Sequence, residues 1–182
     1  MPVKPEFDPA YLYFITTNAV NHAHFFRHAP NKQIIADSLA YIRKQRWIQI
    51  HAFVIMPNHL HLIARFLPPH TLSDVMRDFK KYTAKEIVKH YRAQNNEKAL
   101  TFLRKASADS AAGRHQVWEK GYDAREVFTL RFFRQKAEYI HNNPCQPHWR
   151  LVEVPEAYLW SSARYYALGE PTVVPVDMIE GW

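Results

Sequence analysis

Hydrophobic and polar positions alternate with a period that changes along the chain, and each change marks an element. Tyr11 to Thr17 (Tyr-Leu-Tyr-Phe-Ile-Thr-Thr) is aromatic and β-branched and reads as a first strand. Asn18 to Pro30 is polar and rich in histidine, a loop. From Asn31 to Arg46, Ile34, Ile35, Leu39 and Ile42 recur at the spacing of an amphipathic helix. Trp47 to Ile55 returns to strand character, Met56-Pro57-Asn58 supplies a turn, and His59 to Leu67 forms the second arm of a hairpin that Pro68-Pro69 stops. Thr71-Leu72-Ser73-Asp74 resembles a capping box and opens a second helix carrying Met76, Phe79, Thr83 and Ile87. Residues 92–113 are polar and small and read as a flexible internal connection, with a short strand expected near His115 to Trp118. Arg125 to Asn142 reads as a third helix with Leu130, Phe133, Ala137 and Ile140 on one face, ended by Pro144. The tail, 149–182, is aromatic and punctuated by proline, and is expected to pack back on the body. This order predicts one α+β domain over residues 1–182: helices packed against an antiparallel sheet, in a ferredoxin-like layout.

Composition narrows the function. The chain has 182 residues, 47% of them hydrophobic, enough to bury a core without disulfides or metal staples. Lys plus Arg is 24 against 17 acids, a net charge of +7 that points to a polyanionic partner, nucleic acid first and acidic membrane second. The four glycines, Gly113, Gly121, Gly169 and Gly181, lie too far apart to build a Gly-rich phosphate cradle, which excludes Rossmann and P-loop readings. The single cysteine, Cys145, excludes an internal disulfide framework and a zinc ribbon or knuckle. No apolar run reaches the roughly 18 residues of a membrane span, and the N-terminus lacks the apolar core of a signal peptide. A cytoplasmic protein with no membrane partner is expected.

The most informative stretch is Pro57-Asn58-His59-Leu60-His61-Leu62-Ile63. Side chains on a strand alternate faces, so His59 and His61 point one way and Leu60 and Leu62 the other. Two such imidazoles, about 6.5–7 Å apart along the strand, can converge on one divalent cation. A chain with 11 histidines also makes His-x-His pairs by chance, and spacing alone leaves both readings open. On the third helix Tyr139 and Asn143 are i, i+4 and share a face, although Asn143 precedes Pro144 and is biased away from helical backbone. Tyr82 and Glu86 on the second helix have the same spacing, and spacing cannot choose between the pairs.

Five blocks, in order over roughly residues 10 to 166, carry a resemblance to the single-tyrosine HUH transposases, most closely the REP-associated tyrosine transposases. They are Phe53 to Ile63 with its His-hydrophobe-His motif, Phe79-Lys-Lys-Tyr-Thr83, Trp118-Glu-Lys-Gly-Tyr122, Tyr139-Ile-His-Asn-Asn-Pro144 and Trp160-Ser-Ser162. Cys145-Gln-Pro-His-Trp149 departs from the run usual in that family. The resemblance implies metal-dependent nicking and rejoining of single-stranded DNA at or beside hairpin (REP-like) sequences through a 5′-phosphotyrosine intermediate. It implies Tyr139 as nucleophile in preference to Tyr82, and His59, His61 and Asn143 as ligands of one Mg²⁺ or Mn²⁺. Ligating imidazoles must be neutral, so activity is expected to fall below about pH 6. The family includes both swapped homodimers and self-contained monomers.

The charge supports a DNA partner separately. From His70 to Lys105 there are nine Lys/Arg against four acids, +5 of the total +7. Lys81, Lys85 and Lys89 repeat every fourth residue, and with Arg77 and Lys80 they form a candidate phosphate-binding face, or else an ordinary solvated one. Two other classes stay open: a non-catalytic basic single-stranded or hairpin DNA-binding protein, and a His-x-His hydrolase. The hydrolase is short of accompanying carboxylates. His22, His24 and His28 read as loop residues near a phosphate path.

Overall fold

The computed structural model describes residues 7–108 and 112–179. Four strands, β1 (Leu12–Asn18), β2 (Ile48–Ile55), β3 (His59–Phe66) and β4 (Asp123–Val127), form one antiparallel sheet in the order β2-β3-β1-β4. Helix α1 (Ala29–Lys44) joins β1 to β2, and α2 (Leu72–Ala93) with α3 (Glu97–Lys105) joins β3 to β4. This is the ferredoxin-like β-α-β-β-α-β order, extended by α4 (Leu130–Asn142) and α5 (Ala163–Leu168).

The three strands β1, β2 and β3 are buried on both faces and are apolar accordingly, while the edge strand β4 is polar and, Val127 apart, exposed or half-buried. Tyr13 and Ile15 of β1 and Leu60, Leu62, Ala64 and Phe66 of β3 enter a core shared with α1 and α2. Leu12, Phe14 and Ile63 enter a second core with Phe133, Ala137 and Ile140 of α4. Strand β2 supplies both layers through a bulge. Its register against β3 shifts between Ile50 and Ala52, leaving His51 as the extra residue. Before the shift Ile48 and Ile50 face α1 and α2; after it Phe53 and Ile55 do, and Ala52, Val54 and Met56 face α4.

Local signals set the element ends. The Thr71 side chain accepts from Asp74 N (3.2 Å) and donates to Asp74 Oδ2 (2.8 Å), an N-cap in which the Asp74 carboxylate bonds the Thr71 hydroxyl rather than its backbone N–H as in a full capping box. Thr129 caps α4 by accepting from Phe132 N at 3.2 Å.

Three expectations are corrected. The third long helix begins at Leu130 rather than Arg125, because residues 123–127 pair with β1 as an edge strand. The strand expected at His115 to Trp118 is a single bridge between Trp118 and Ala19, and the Trp118 indole is buried, donating to Thr83 Oγ1 at 2.9 Å. Residues 92–113, read as a flexible connection, contain α3, whose Leu100 and Leu103 are buried against the first core; residues 109–111 lie outside the described residues. Part of the tail lies along β2: Ile55 N donates to Trp160 O (2.8 Å) and Ser162 N to Phe53 O (3.0 Å). Farther on, Asp177 accepts from Arg43 Nε (2.9 Å) and Nη2 (2.6 Å).

Candidate active site

His59 and His61 open β3 and face α4, with Leu60 and Leu62 in the opposite core. Their rings meet at 4.7 Å between centroids, 70° apart. Each ring is held from behind. Asn58 Nδ2 donates to His22 O (3.1 Å), which turns Asn58 Oδ1 to accept from His59 Nδ1 (2.7 Å) and leaves His59 Nε2 with its lone pair. His61 Nδ1 lies 2.8 Å from Thr16 Oγ1, on the β1 residue paired with it, and the ring stacks on Phe14 at 5.4 Å.

Helix α4 crosses this face. With Phe133, Ala137 and Ile140 in the core, the neighbouring stripe Lys136, Tyr139 and Asn143 is turned toward the histidines. The Tyr139 ring lies 5.3 Å from His61 and is 47% exposed, while Asn143 is 5% exposed. Asn143 keeps helical backbone (φ −56°, ψ −44°) despite the following proline, and the chain continues as a 3₁₀ turn, Asn143–Cys145. Its side chain is therefore held in place rather than frayed. Asn143 Oδ1 is buried, and although its side chain lies near enough to His59 to act on that ring's protonation, it makes no hydrogen bond of good geometry among the described residues. Lys136 Nζ sits 4.9 Å from the Phe14 ring and 5.8 Å from that of Tyr139.

Burial sets the protonation of the pair. Desolvation pushes His59 down to about 4, helped by His22, His148 and His24 and opposed by the Asn143 side chain. Desolvation, His59 and Lys136 together push His61 down to about 3. Both imidazoles are neutral at neutral pH, with lone pairs available.

The donor set fits a divalent cation. It consists of two neutral imidazoles and one buried amide oxygen, brought together by β3 and the end of α4. Among the described residues no three His, Cys, Asp or Glu side chains gather as a metal group.

These groups open into a cleft of about 350 Å³ lined by His59, Tyr139 and Asn143 together with His22, Asn58, Gln146, His148 and Trp149. Sequence reasoning missed half of this lining, Asn58, Gln146, His148 and Trp149, and also the neighbouring Lys136. Lys136 was legible as the i−3 neighbour of Tyr139; Trp149 and His148 reach the cleft only through the fold of the segment after α4. The loop histidines divide: His22 lines the cleft, His24 packs on Trp149 (5.4 Å), and His28 is the exposed N-cap of α1. The competing pair lies on the other side of the sheet. Tyr82 lines a separate cavity with Tyr41, Trp47 and Phe79, and Glu86 pairs with Lys89 at 3.6 Å.

The five basic residues of α2 also divide. Lys81, Lys85 and Lys89 are exposed. Arg77 is paired with Asp74 (2.7 Å) and Asp78 (2.9 Å), and Lys80 turns inward to donate to Glu119 O (2.6 Å) and Gly121 O, with burial lowering its pKa. Lys80 thus ties α2 to the 119–121 segment. Between them runs a groove of about 460 Å³ whose rim includes Arg77, Lys81, His115 and Lys120.

Comparison with known proteins places the chain in a class, the DNA transposases. The family model described as "Transposase IS200 like" matches residues 12–143. The chain belongs to the IS200-like transposase family. An uncharacterized protein of Haemophilus influenzae is 29% identical over 151 residues, covering 72% of this chain and 79% of that protein. The structure of a REP-associated tyrosine transposase bound to a REP hairpin aligns over 100% of this chain and 94% of its own, with a TM-score of 0.67 at 17% identity, and shares the fold. A putative transposase of Deinococcus radiodurans aligns over 78% of this chain and 96% of its own with a TM-score of 0.48 at 16% identity. Among the described residues no helix is long and apolar enough to cross a membrane.

Proposed function

We propose that this transposase nicks and rejoins single-stranded DNA at hairpin-bearing, REP-like sequences, with Tyr139 as nucleophile. The observation that carries the reading is that His59, Tyr139 and Asn143 of one chain line one cleft, with His61 buried directly behind it against the rings of His59 and Tyr139. The hairpin carried by the REP-associated structural neighbour supports the choice of substrate.

In this reading Tyr139 Oη bonds to the scissile phosphorus while the bond from phosphorus to the 3′ oxygen breaks. The phenol gives up its proton and the departing oxygen gains one, so the products are a 5′-phosphotyrosine and a free 3′-OH. Attack by a 3′-OH on the phosphotyrosine reverses the exchange and restores the phenol, which is why joining needs no nucleotide cofactor. An ordinary phenol, with a pKa of about 10, is protonated at neutral pH and has to lose its proton as it attacks; Lys136 Nζ lies 5.8 Å from the ring centre. His59, His61 and Asn143 would hold one Mg²⁺ or Mn²⁺, whose charge offsets that of the phosphate as it is attacked. Asn58 and Thr16 fix the two imidazoles from behind. Lys81, Lys85 and Lys89, with the groove beside α2, suit the backbone of a flanking hairpin.

The test is incubation of the protein with an end-labelled single strand carrying a hairpin, with and without Mn²⁺, followed by denaturing electrophoresis. The reading expects a metal-dependent band of protein bound covalently to DNA. Binding without any such band would leave a basic DNA-binding protein, and cleavage with both ends free would leave a hydrolase.

A further inference from the structure

Five described residues other than glycine have positive φ: Asn21, His22, Arg46, Asn95 and Arg150. Arg46 and Asn95 each follow the C-cap of a long helix, where a left-handed residue ends the hydrogen-bond ladder. The other three flank the candidate cleft. Asn21 (φ 52°) and His22 (φ 50°) are consecutive, and His22 lines the cleft; Arg150 (φ 45°) follows Trp149, which also lines it. Backbone held in sparsely populated regions persists only where the surroundings impose it, and it gathers at ligand sites.

On the Trp149 side the imposing contacts are visible. Trp149 N and Arg150 N both donate to Gln146 O (2.8 and 2.9 Å), and Leu151 N donates to Pro144 O (2.9 Å). This closes a compact turn directly after Asn143. The turn sets the half-buried indole against the α4-face core and among three imidazoles, with ring centroids 5.4 Å from His24, 5.6 Å from His148 and 5.9 Å from His59. A rigid aromatic ring beside the histidine pair, in a cleft the size of one nucleotide, has an evident use. Unpaired bases of a single strand have π-faces and no fixed neighbour, and aromatic side chains supply one.

We propose that Trp149 is the stacking platform for the base next to the scissile phosphate, a positioning residue that seats the phosphate against Tyr139. The proposal rests on the reading of the cleft as a single-strand nicking site, and it supplies what that reading lacks, a protein group that grips a base. The stack fixes the nucleotide, and the two backbone anchors to Gln146 O fix the stack.

The test compares wild-type protein with Trp149→Phe and Trp149→Leu variants, each checked for an unchanged thermal midpoint. Substrates are hairpin oligonucleotides carrying a single abasic site at each position flanking the cleavage point. Binding is measured on Tyr139→Phe backgrounds as well as cleavage on the active protein. Stacking predicts that wild type loses about 10- to 100-fold at one abasic position only. Trp149→Leu should lose as much on the intact strand and nothing further on the abasic one, and Trp149→Phe should retain most of the wild-type value. Equal behaviour of Phe and Leu, or Leu and abasic losses that multiply at every position, overturns the proposal while leaving the nicking reading intact. Failure of the wild-type protein to bind any single strand overturns both.

Discussion

The two faces of the sheet are built from the same strands and differ in what they bury. The face covered by α1 and α2 is a large, mostly apolar core in which Phe26, Phe53 and Phe66 are fully buried, with a few polar side chains such as Asn31 and Thr83 inside it. The face covered by α4 also has an apolar centre, but along its edge it holds a half-buried His59, a buried His61 and an amide oxygen that has no hydrogen-bond partner among the described residues. Burying imidazoles and an unsatisfied acceptor costs stability; among the described residues Asn31 Oδ1 on the other face is in the same state, and what sets Asn143 apart is its place beside the histidines. The first face stabilises the sheet; the second uses part of that stability to hold polar groups ready.

The contrast is sharpest in cleavage. Tyr139→Phe should reduce adduct formation to background while leaving binding of the hairpin strand unchanged, and Tyr82→Phe, on the face covered by α1 and α2, should cleave as wild type; gel assays of the two variants side by side check this. The reverse pattern would move the chemistry to the other face. Next in size is the cost of a core cavity. Phe53→Ala should destabilise the protein by about 3–5 kcal/mol, measured by denaturant unfolding.

The polar face should also announce itself in the pH dependence of stability. His59, His61 and His141 are held at about 4, 3 and 4 by burial. Unfolded, they bind protons near pH 6.5, so as pH falls below that value the unfolded state takes up protons that the folded state refuses. Stability is then lost between about pH 6.5 and 3, by up to about 2 kcal/mol per histidine at pH 5. Unfolding midpoints of His141→Asn should fall less steeply over that range. The same burial moves the expected acid limit of activity from about pH 6 to nearer 4, since the imidazoles stay neutral longer than free ones. Smaller again is Asn143→Leu, which removes the orphaned acceptor. It should raise stability by about 1 kcal/mol while abolishing metal-dependent cleavage. The smallest effect belongs to α2: Lys81→Ala and Lys85→Ala should each lower the salt slope of DNA binding by about 1.

What could be read from the residues alone was what is local. The period of two places His59 and His61 together, the i, i+4 spacing places Tyr139 with Asn143, and the turn at Pro57-Asn58 makes β2 and β3 antiparallel. What escaped depends on distant partners. Residues 123–127 form a strand because β1 offers an edge, and their own pattern runs on into the helix behind them. Helix α3 carries only Leu100 and Leu103 as buried apolar residues, too little pattern to stand out in a polar segment. Trp149 and His22 come from opposite ends of the chain and share a cleft only once both loops are folded. The departure from the family pattern at Cys145 to Trp149 marked the place and not the role.

The central claim is that Tyr139, and no other residue, becomes joined to DNA. Trypsin should release residues 137–150 as one peptide, bounded by Lys136 and Arg150, and Tyr82 on a different one, bounded by Lys81 and Lys85. Mass spectrometry of the covalent product after nuclease trimming is expected to find the nucleotide mass on residues 137–150, at the tyrosine. A nucleotide on residues 82–85, or on any peptide lacking Tyr139, would contradict the account.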